Sequence, residues 1–182
     1  MKELKVKFRT LLLLSILFIL SSAFKEAEVF SGPTTNKVDK LSSPKGDILT
    51  EEEIRTEFIT LGSKYLGRNY RSGGKSPSTG FDCSGFTGYL LSNFDIYVSS
   101  SSHSQIFDGK HKPLSKVEPG DLIFFSRTPK GRIFHVAMVK ENSEDGIIVI
   151  HSTCSNGVIE TNISKDEYWA PKIVEARDVI AE

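Results

Sequence analysis

The second half of the chain carries four short runs rich in β-branched and aromatic residues. They are Asp121 to Ser126, Ile133 to Lys140, Ile147 to His151 and Ile173 to Val179. Turn signals punctuate them: Pro119-Gly120 precedes the first, and Glu144-Asp145-Gly146 separates the second from the third. Two helical patterns come before. Thr50 with Glu53 fits a capping box, and Glu51 and Glu52 suit a helix N-terminus. Ile54, Phe58, Ile59 and Leu61 or Leu66 then recur at roughly helical spacing, and Gly67 supplies a stop. Residues 71–80 are rich in Gly, Ser and Pro and read as a loop. A second helix is predicted from Cys83 to about Asn93. Helices first and strands afterwards predict an α+β domain over residues 50–182, with N-terminal helices packed on an antiparallel sheet. No internal repeat is present.

The segment ahead of this domain reads as an address. Lys2, Lys5, Lys7 and Arg9 lead into an apolar stretch, Leu11 to Leu20, broken only by Ser15. Ser21-Ser22-Ala23 then places small residues around a cleavage point after Ala23. This is the layout of a signal peptide over residues 1–23, and its apolar core is short for a spanning helix. Residues 24–49 hold Gly32-Pro33, Ser42-Ser43-Pro44 and Gly46 without an apolar period, as a flexible linker would. The expectation is an exported protein, periplasmic or extracellular, soluble once the signal is cut and with no stable membrane anchor.

Lys+Arg and Asp+Glu both number 23, so there is no basic excess to draw the chain to nucleic acid. With two cysteines, a disulfide scaffold and a Cys-only zinc site are both excluded.

One of those cysteines stands in an informative place. Gly80-Phe81-Asp82-Cys83-Ser84-Gly85-Phe86 leads from a loop into an apolar helix, with Cys83 at its start. The free N–H groups and dipole of a helix N-terminus favour a thiolate, the nucleophilic form of cysteine. Such a nucleophile needs a histidine partner. His103 and His111 lie in a loop-like region, whereas His135 opens the strand Val136-Ala137-Met138-Val139 and His151 closes the next one. Adjacent antiparallel strands can bring the last two together at one sheet end. Cys83 would attack a carbonyl, His135 would shuttle the proton, and His151 would hold His135 in orientation. The plainer readings are a small buried cysteine and hydrogen-bonded structural histidines.

These residues sit in a series of ordered motifs that resembles the NlpC family of bacterial cell-wall cysteine peptidases. Tyr65-Leu66-Gly67, Tyr70, Gly73-Gly74, Ser76-Pro77 and Gly80 to Phe86 are similar to the family's nucleophile region. Ser102 with Gln105 and Gly109 resembles the next segment. Pro119 to Phe125, His135 to Val139, Ile150-His151-Ser152 with Gly157-Val158, and Tyr168-Trp169 complete the series, which covers roughly residues 52 to 180.

The resemblance implies a papain-like fold and hydrolysis of peptidoglycan stem peptides, at the bond joining γ-D-glutamate to a diamino acid. It implies Cys83 as nucleophile, His135 as general base and acid, and His151 as the orienting third residue. Tyr70 would help stabilise the oxyanion, with the backbone N–H of Cys83 as a second donor. Asp82 and Ser84 match positions that recognise the substrate's amino terminus in relatives acting on free stem peptides. Ser102 and Gln105 fall in the same substrate-binding group. No metal and no organic cofactor is implied, and a monomer is expected. Three departures stand out: Ser99 to Ser102 where the family usually has an arginine before Gln105, Asn69 for the usual proline before Tyr70, and Cys154 close to His151. Cys154 admits a structural disulfide with Cys83, a free thiol, or a reversible bridge. Cys83, Cys154, His135 and His151 also suit zinc by residue type. The rival functions are a related-fold amidase or acyltransferase and a non-catalytic wall-binding module.

Overall fold

A computed structural model describes residues 49–181. The expected signal peptide, and all of the expected linker except its last residue, lie outside the described residues. Among the described residues no helix is long and apolar enough to cross a membrane.

Helix α1 spans Glu51–Ser63 and starts as its sequence dictates. The Thr50 hydroxyl accepts from the Glu53 N–H, and the Glu53 carboxylate accepts from the Thr50 N–H at 2.8 Å. Both ends of the capping box are therefore closed. The helix stops at Ser63, four residues before the glycine predicted to end it, and a run of turns carries the chain on to Gly67. The predicted loop after it contains a two-stranded ribbon, β1 (Lys75–Ser76) and β2 (Gly80–Phe81). Helix α2 (Cys83–Ser92) and the single turn α3 (Ser102–Gln105) follow.

The main sheet is built from β3 (Lys110–His111), β4 (Leu122–Ser126), β5 (Ile133–Ser143), β6 (Gly146–Thr153), β7 (Gly157–Asn162) and β8 (Ile173–Asp178). Their order is β3-β8-β4-β5-β6-β7, and every pairing is antiparallel. The architecture is the α+β arrangement expected from the sequence. Strand β7 was not foreseen as an element of its own, because Val158-Ile159-Glu160-Thr161-Asn162 is a short, mixed run without a clean alternation.

Every residue of β4 is buried. Leu122 and Phe124 join Val136 and Met138 on the face covered by α1 and α2, against Phe58, Phe86, Leu90 and Leu91. Ile123 and Phe125 join Ala137, Val139, Val149 and Ile163 on the other face. Burial on both sides is why β4 reads as a continuous apolar run. Each such side chain contributes about 1.5–3 kcal/mol of transfer free energy.

A buried ionic cluster locks α1 to the sheet. Arg55 donates to Asp121 at 2.9 Å, to the Pro119 carbonyl at 2.9 Å and to both carboxylate oxygens of Asp178 at 3.0 Å. Lys112 reaches Asp178 at 3.0 Å and also bonds Glu118. Burial raises the Asp178 carboxyl, yet the N–H of Ala181, the Lys112 ammonium, the N–H of Ile180 and Arg55 together pull it down to about 2. Its contribution to stability is therefore present above pH of about 4, the ordinary range of a free aspartate. It is lost as the pH falls toward about 2.

Arg55→Ala leaves Asp121, which has no exposed surface, without its main counter-charge. The expected loss is about 3–5 kcal/mol in urea unfolding. A loss below about 1 kcal/mol would mean the cluster contributes no more than a surface pair.

Candidate active site

Helix α2 positions the cysteine. Asp82 is its N-cap: one carboxylate oxygen accepts from the Gly85 N–H at 2.6 Å and from the Ser84 hydroxyl at 3.1 Å. The other accepts from the Gly73 N–H at 2.9 Å. Asp82 thus fixes both the helix start and the glycine loop packed on it. A Cβ at Gly85 would lie 2.0 Å from the Gly74 carbonyl oxygen, so only glycine lets that loop approach. The Asp-Cys-Ser-Gly sequence is a capped helix start with a backbone laid over its first turn.

Cys83 packs on the buried cluster that contains Val136, the residue after His135 in β5. The first residue of α2 therefore lies against the strand that carries His135. Burial pushes the thiol up, and the nearby Asp82 carboxylate adds to this, while the N–H groups of Val136, Ser84 and Cys83 oppose it. The helix N-terminus does not leave an acidified thiol, contrary to the expectation from position alone. Desolvation outweighs the N–H donors.

His135 and His151 meet as their strands predict. His135 Nε2 lies 2.9 Å from His151 Nδ1, and the rings stand edge to face at 5.1 Å between centroids. His151 Nε2 lies 2.9 Å from the Thr161 hydroxyl. Thr161 stands opposite Val149 in the β6–β7 register, two residues from His151 and so on the same face. Burial holds His135 well below the usual histidine range, and His151 beside it adds to this. Burial likewise lowers His151 to about 4, with a small opposing pull from Asp166.

These contacts are compatible with one proton arrangement that leaves a basic nitrogen on His135. For His135 Nδ1 to accept a proton, its Nε2–H must donate to His151 Nδ1. His151 must then carry its own proton on Nε2 and donate it to Thr161. A single chain of donors, His135 to His151 to Thr161, leaves His135 with one basic nitrogen free.

Trp169 covers this pair. Its ring lies 4.6 Å from His135 and 5.1 Å from His151, and it also packs on Phe125 at 5.0 Å. The sequence pointed to neither Thr161 nor Trp169 as site residues. Thr161 falls in the unrecognised strand β7, and Trp169 lies in a loop whose path the periodicity does not reveal.

Tyr70 is bridged to Phe81, two residues before Cys83. Burial pushes its hydroxyl up to about 12, aided by a hydrogen bond with Cys154 and by proximity to Cys83 and Asp82. Its loop docks on the start of β7 through Gly67 N–H to Val158 O at 2.8 Å and Val158 N–H to Arg68 O at 2.9 Å. That docking brings exposed Cys154 beside Tyr70. Both cysteines are free thiols.

The remaining expected site residues are placed unevenly. Ser84 is buried and also donates to the Ser100 carbonyl at 3.4 Å. Ser102, at the start of α3, lines a cleft of about 520 Å³ beside β5. Gln105 has no exposed surface: its amide donates to the Ser84 carbonyl at 3.2 Å and accepts from Thr87 at 3.1 Å. It braces α2 from inside.

Comparison with known proteins agrees with this geometry. Residues 67–178 match the model of the NlpC/P60 family. The chain is 33% identical over 137 residues to a gamma-DL-glutamyl hydrolase of Bacillus subtilis (strain 168), covering 74% of this chain and 32% of that protein. It is 31% identical over 118 residues to the murein DD-endopeptidase MepH of Escherichia coli (strain K12), covering 63% and 42%. The chain thus spans about a third of the first relative and less than half of the second. Among solved structures, an NlpC/P60 family protein from Bacillus cereus (ATCC 10987) superposes with a TM-score of 0.64 at 28% identity, over 72% of this chain and 43% of that one. The NlpC/p60 domain of the peptidoglycan hydrolase SagA gives 0.55 at 29% identity, over 68% and 97%. The matched region runs from the loop before Tyr70 to the end of β8, through the helix opened by Cys83 and both histidine strands. The α+β domain is papain-like, and the chain belongs to the NlpC/P60 family.

Proposed function

We propose that the protein is an exported cysteine endopeptidase that hydrolyses peptidoglycan stem peptides at the γ-D-glutamyl–diamino acid bond. The observation that carries this reading is the hydrogen bond from β5 to β6 between His135 and His151, with Cys83 packed on the buried cluster that holds Val136, the residue after His135. The names of the relatives support the substrate class, and they name both DL and DD bonds. The γ-D-glutamyl choice follows the hydrolase, which matches the larger share of this chain.

The reaction starts from a neutral pair. Burial favours the thiol form of Cys83 and the neutral form of His135, so no ion pair stands ready. As the sulfur attacks the γ-carbonyl carbon, its proton passes to His135 Nδ1. The S–C bond forms while the carbonyl π-bond opens to an oxyanion. The Tyr70 hydroxyl and the Cys83 N–H donate to that oxygen. Collapse breaks the C–N bond, and His135 returns the proton to the departing amine. The product is a thioester on Cys83 and a free diamino-acid peptide. Water, deprotonated by His135, then releases the glutamyl acid and restores the thiol.

The orienting group here is a neutral imidazole. It accepts a hydrogen bond from the imidazolium but brings no negative charge to it. The pair therefore relies on geometry, with Thr161 fixing the tautomer and Trp169 keeping water off the rings.

Purified peptidoglycan and free stem tripeptide, each incubated with the protein, should yield products whose masses correspond to cleavage after γ-D-glutamate. Cys83→Ala should abolish them with the fold intact by circular dichroism. Masses showing loss of the whole stem peptide from the glycan would establish the amidase reading instead. Absence of any product, with Cys83 titrating as a free thiol, would favour a binding module.

The acid limb of kcat/KM is expected below pH 6.5, because His135 stays neutral there. His151→Asp places a carboxylate beside His135 and should move that limb upward by about one pH unit or more. An unmoved limb would mean that His135 is not the titrating base. Thr161→Val removes the acceptor that ends the proton chain, at a cost of about 1 kcal/mol, or roughly fivefold in kcat. Unchanged turnover in that variant would contradict the tautomer assignment.

A further inference from the structure

The cleft beside β5 is lined by side chains of one sign. On one wall stand Ser101, Ser102 and His103, and on the other Arg127, Arg132 and Phe134. No Asp or Glu lines it. Sequence neighbours of its lining residues link it to β5 and to α2. Phe134 adjoins His135 in β5, and Ser100, one residue before the first wall, accepts the hydrogen bond from Ser84 next to Cys83.

The turn between β4 and β5 sets the backbone positions of the two arginines, whose side chains are exposed. Ser126 pairs with Ile133 across the strands, so Arg127 and Arg132 follow at the two feet of that turn. The Ser126 hydroxyl donates to the Arg132 carbonyl at 3.3 Å and accepts from the Thr128 N–H at 3.4 Å. The Gly131 N–H closes the turn on the Thr128 carbonyl at 2.9 Å. The Arg127 guanidinium lies 4.9 Å over the ring of Phe134, which also lines the cleft. Like charges at facing positions of a hairpin oppose each other, and an anion between them relieves the repulsion. Arginine is also the side chain that best grips a planar carboxylate through paired N–H donors.

We propose that this cleft is a carboxylate-binding subsite, in which Arg127 and Arg132 hold a free carboxylate of the substrate next to the scissile bond. The proposal rests on the stem-peptide reading above and names a recognition element for it. A γ-linked glutamate leaves its α-carboxylate unbonded, and a diamino acid of the diaminopimelate type carries a second one on the leaving side. Either lies a few bonds from the attacked carbonyl. Arg127 and Arg132 are specificity-determining residues, and neither takes part in the bond changes. Ser101 and Ser102 supply hydroxyl donors opposite them.

The test pairs three stem tripeptides with two full-length proteins, the wild type and Arg127→Gln/Arg132→Gln. One peptide is unmodified, one has the glutamate α-carboxylate converted to an amide, and one has the diamino acid carboxylates converted to amides. Binding of the same peptides is measured in parallel on both proteins carrying Cys83→Ala, so that recognition is read without turnover. The double variant should lose about tenfold or more in kcat/KM for the unmodified peptide, through KM, as expected for one charge-assisted contact. One of the two amidated peptides should show the same loss with wild type and no further loss with the variant. Whichever it is identifies the carboxylate. The wild-type preference should shrink as salt is raised. Equal kcat/KM of wild type and variant on all three peptides would overturn the proposal. If wild type cleaves no stem peptide, the endopeptidase reading fails, and the Cys83→Ala titrations still decide the subsite. Carboxylate-dependent binding lost in the arginine variant would support it, and binding indifferent to both changes would overturn it.

Discussion

The structure depends on the packing of one apolar helix against one sheet face. Phe86, Leu90 and Leu91 of α2 meet Leu122, Phe124, Val136 and Met138 with no exposed surface on any of them. That contact is non-directional in its driving force, but close packing makes it specific in position. It sets the first residue of α2 against β5, the strand that carries His135. Asp82 and Gly85 finish the placement by capping the helix and admitting the Gly73-Gly74 loop. Ser152 adds a buried bond from β6 to the Phe81 carbonyl at 2.8 Å, tying the approach to Cys83 to the strand that carries His151.

Placing the pair so deeply has an electrostatic consequence. Water is excluded from both rings by Trp169, Phe125 and the sheet, so the charged forms of cysteine and histidine are both disfavoured at rest. The same exclusion strengthens each N–H and hydroxyl dipole that points at the reacting atoms. In the proposed mechanism charge appears at these groups only during the reaction. A neutral histidine in the third place is consistent with this, since a buried carboxylate there would draw the proton to His135 before substrate arrived.

Much of this was legible in the sequence because it is written in short-range chemistry. The capping box at Thr50, the helix opened by Cys83 and the apolar run of β4 each depend on neighbours within a few residues. The meeting of His135 and His151 also followed, since each lies at the same end of adjacent strands. What escaped needed long-range contacts. Arg55 carries no sequence signal of its own, yet it is the centre of a buried cluster in which its partners outside its own helix lie 64 to 123 positions away. Gln105 reads as a substrate contact, and its complete burial is set by α2 packing. Thr161 is one hydroxyl in a mixed run, and only the β6–β7 register aligns it with His151. The thiol's upward shift was likewise invisible, because the dipole argument is local and desolvation is not.

The most direct measurement is the mass of the protein itself, quenched in acid within the first turnovers on free stem tripeptide and then digested. The account predicts a thioester adduct on the peptide that contains Cys83, with the mass of the alanyl-γ-glutamyl acyl group. Turnover with Cys83 unmodified at every quench time, while the adduct of a slow-deacylating substrate is also absent, would contradict Cys83 as the nucleophile. An adduct of any other acyl mass would keep the nucleophile and contradict the bond.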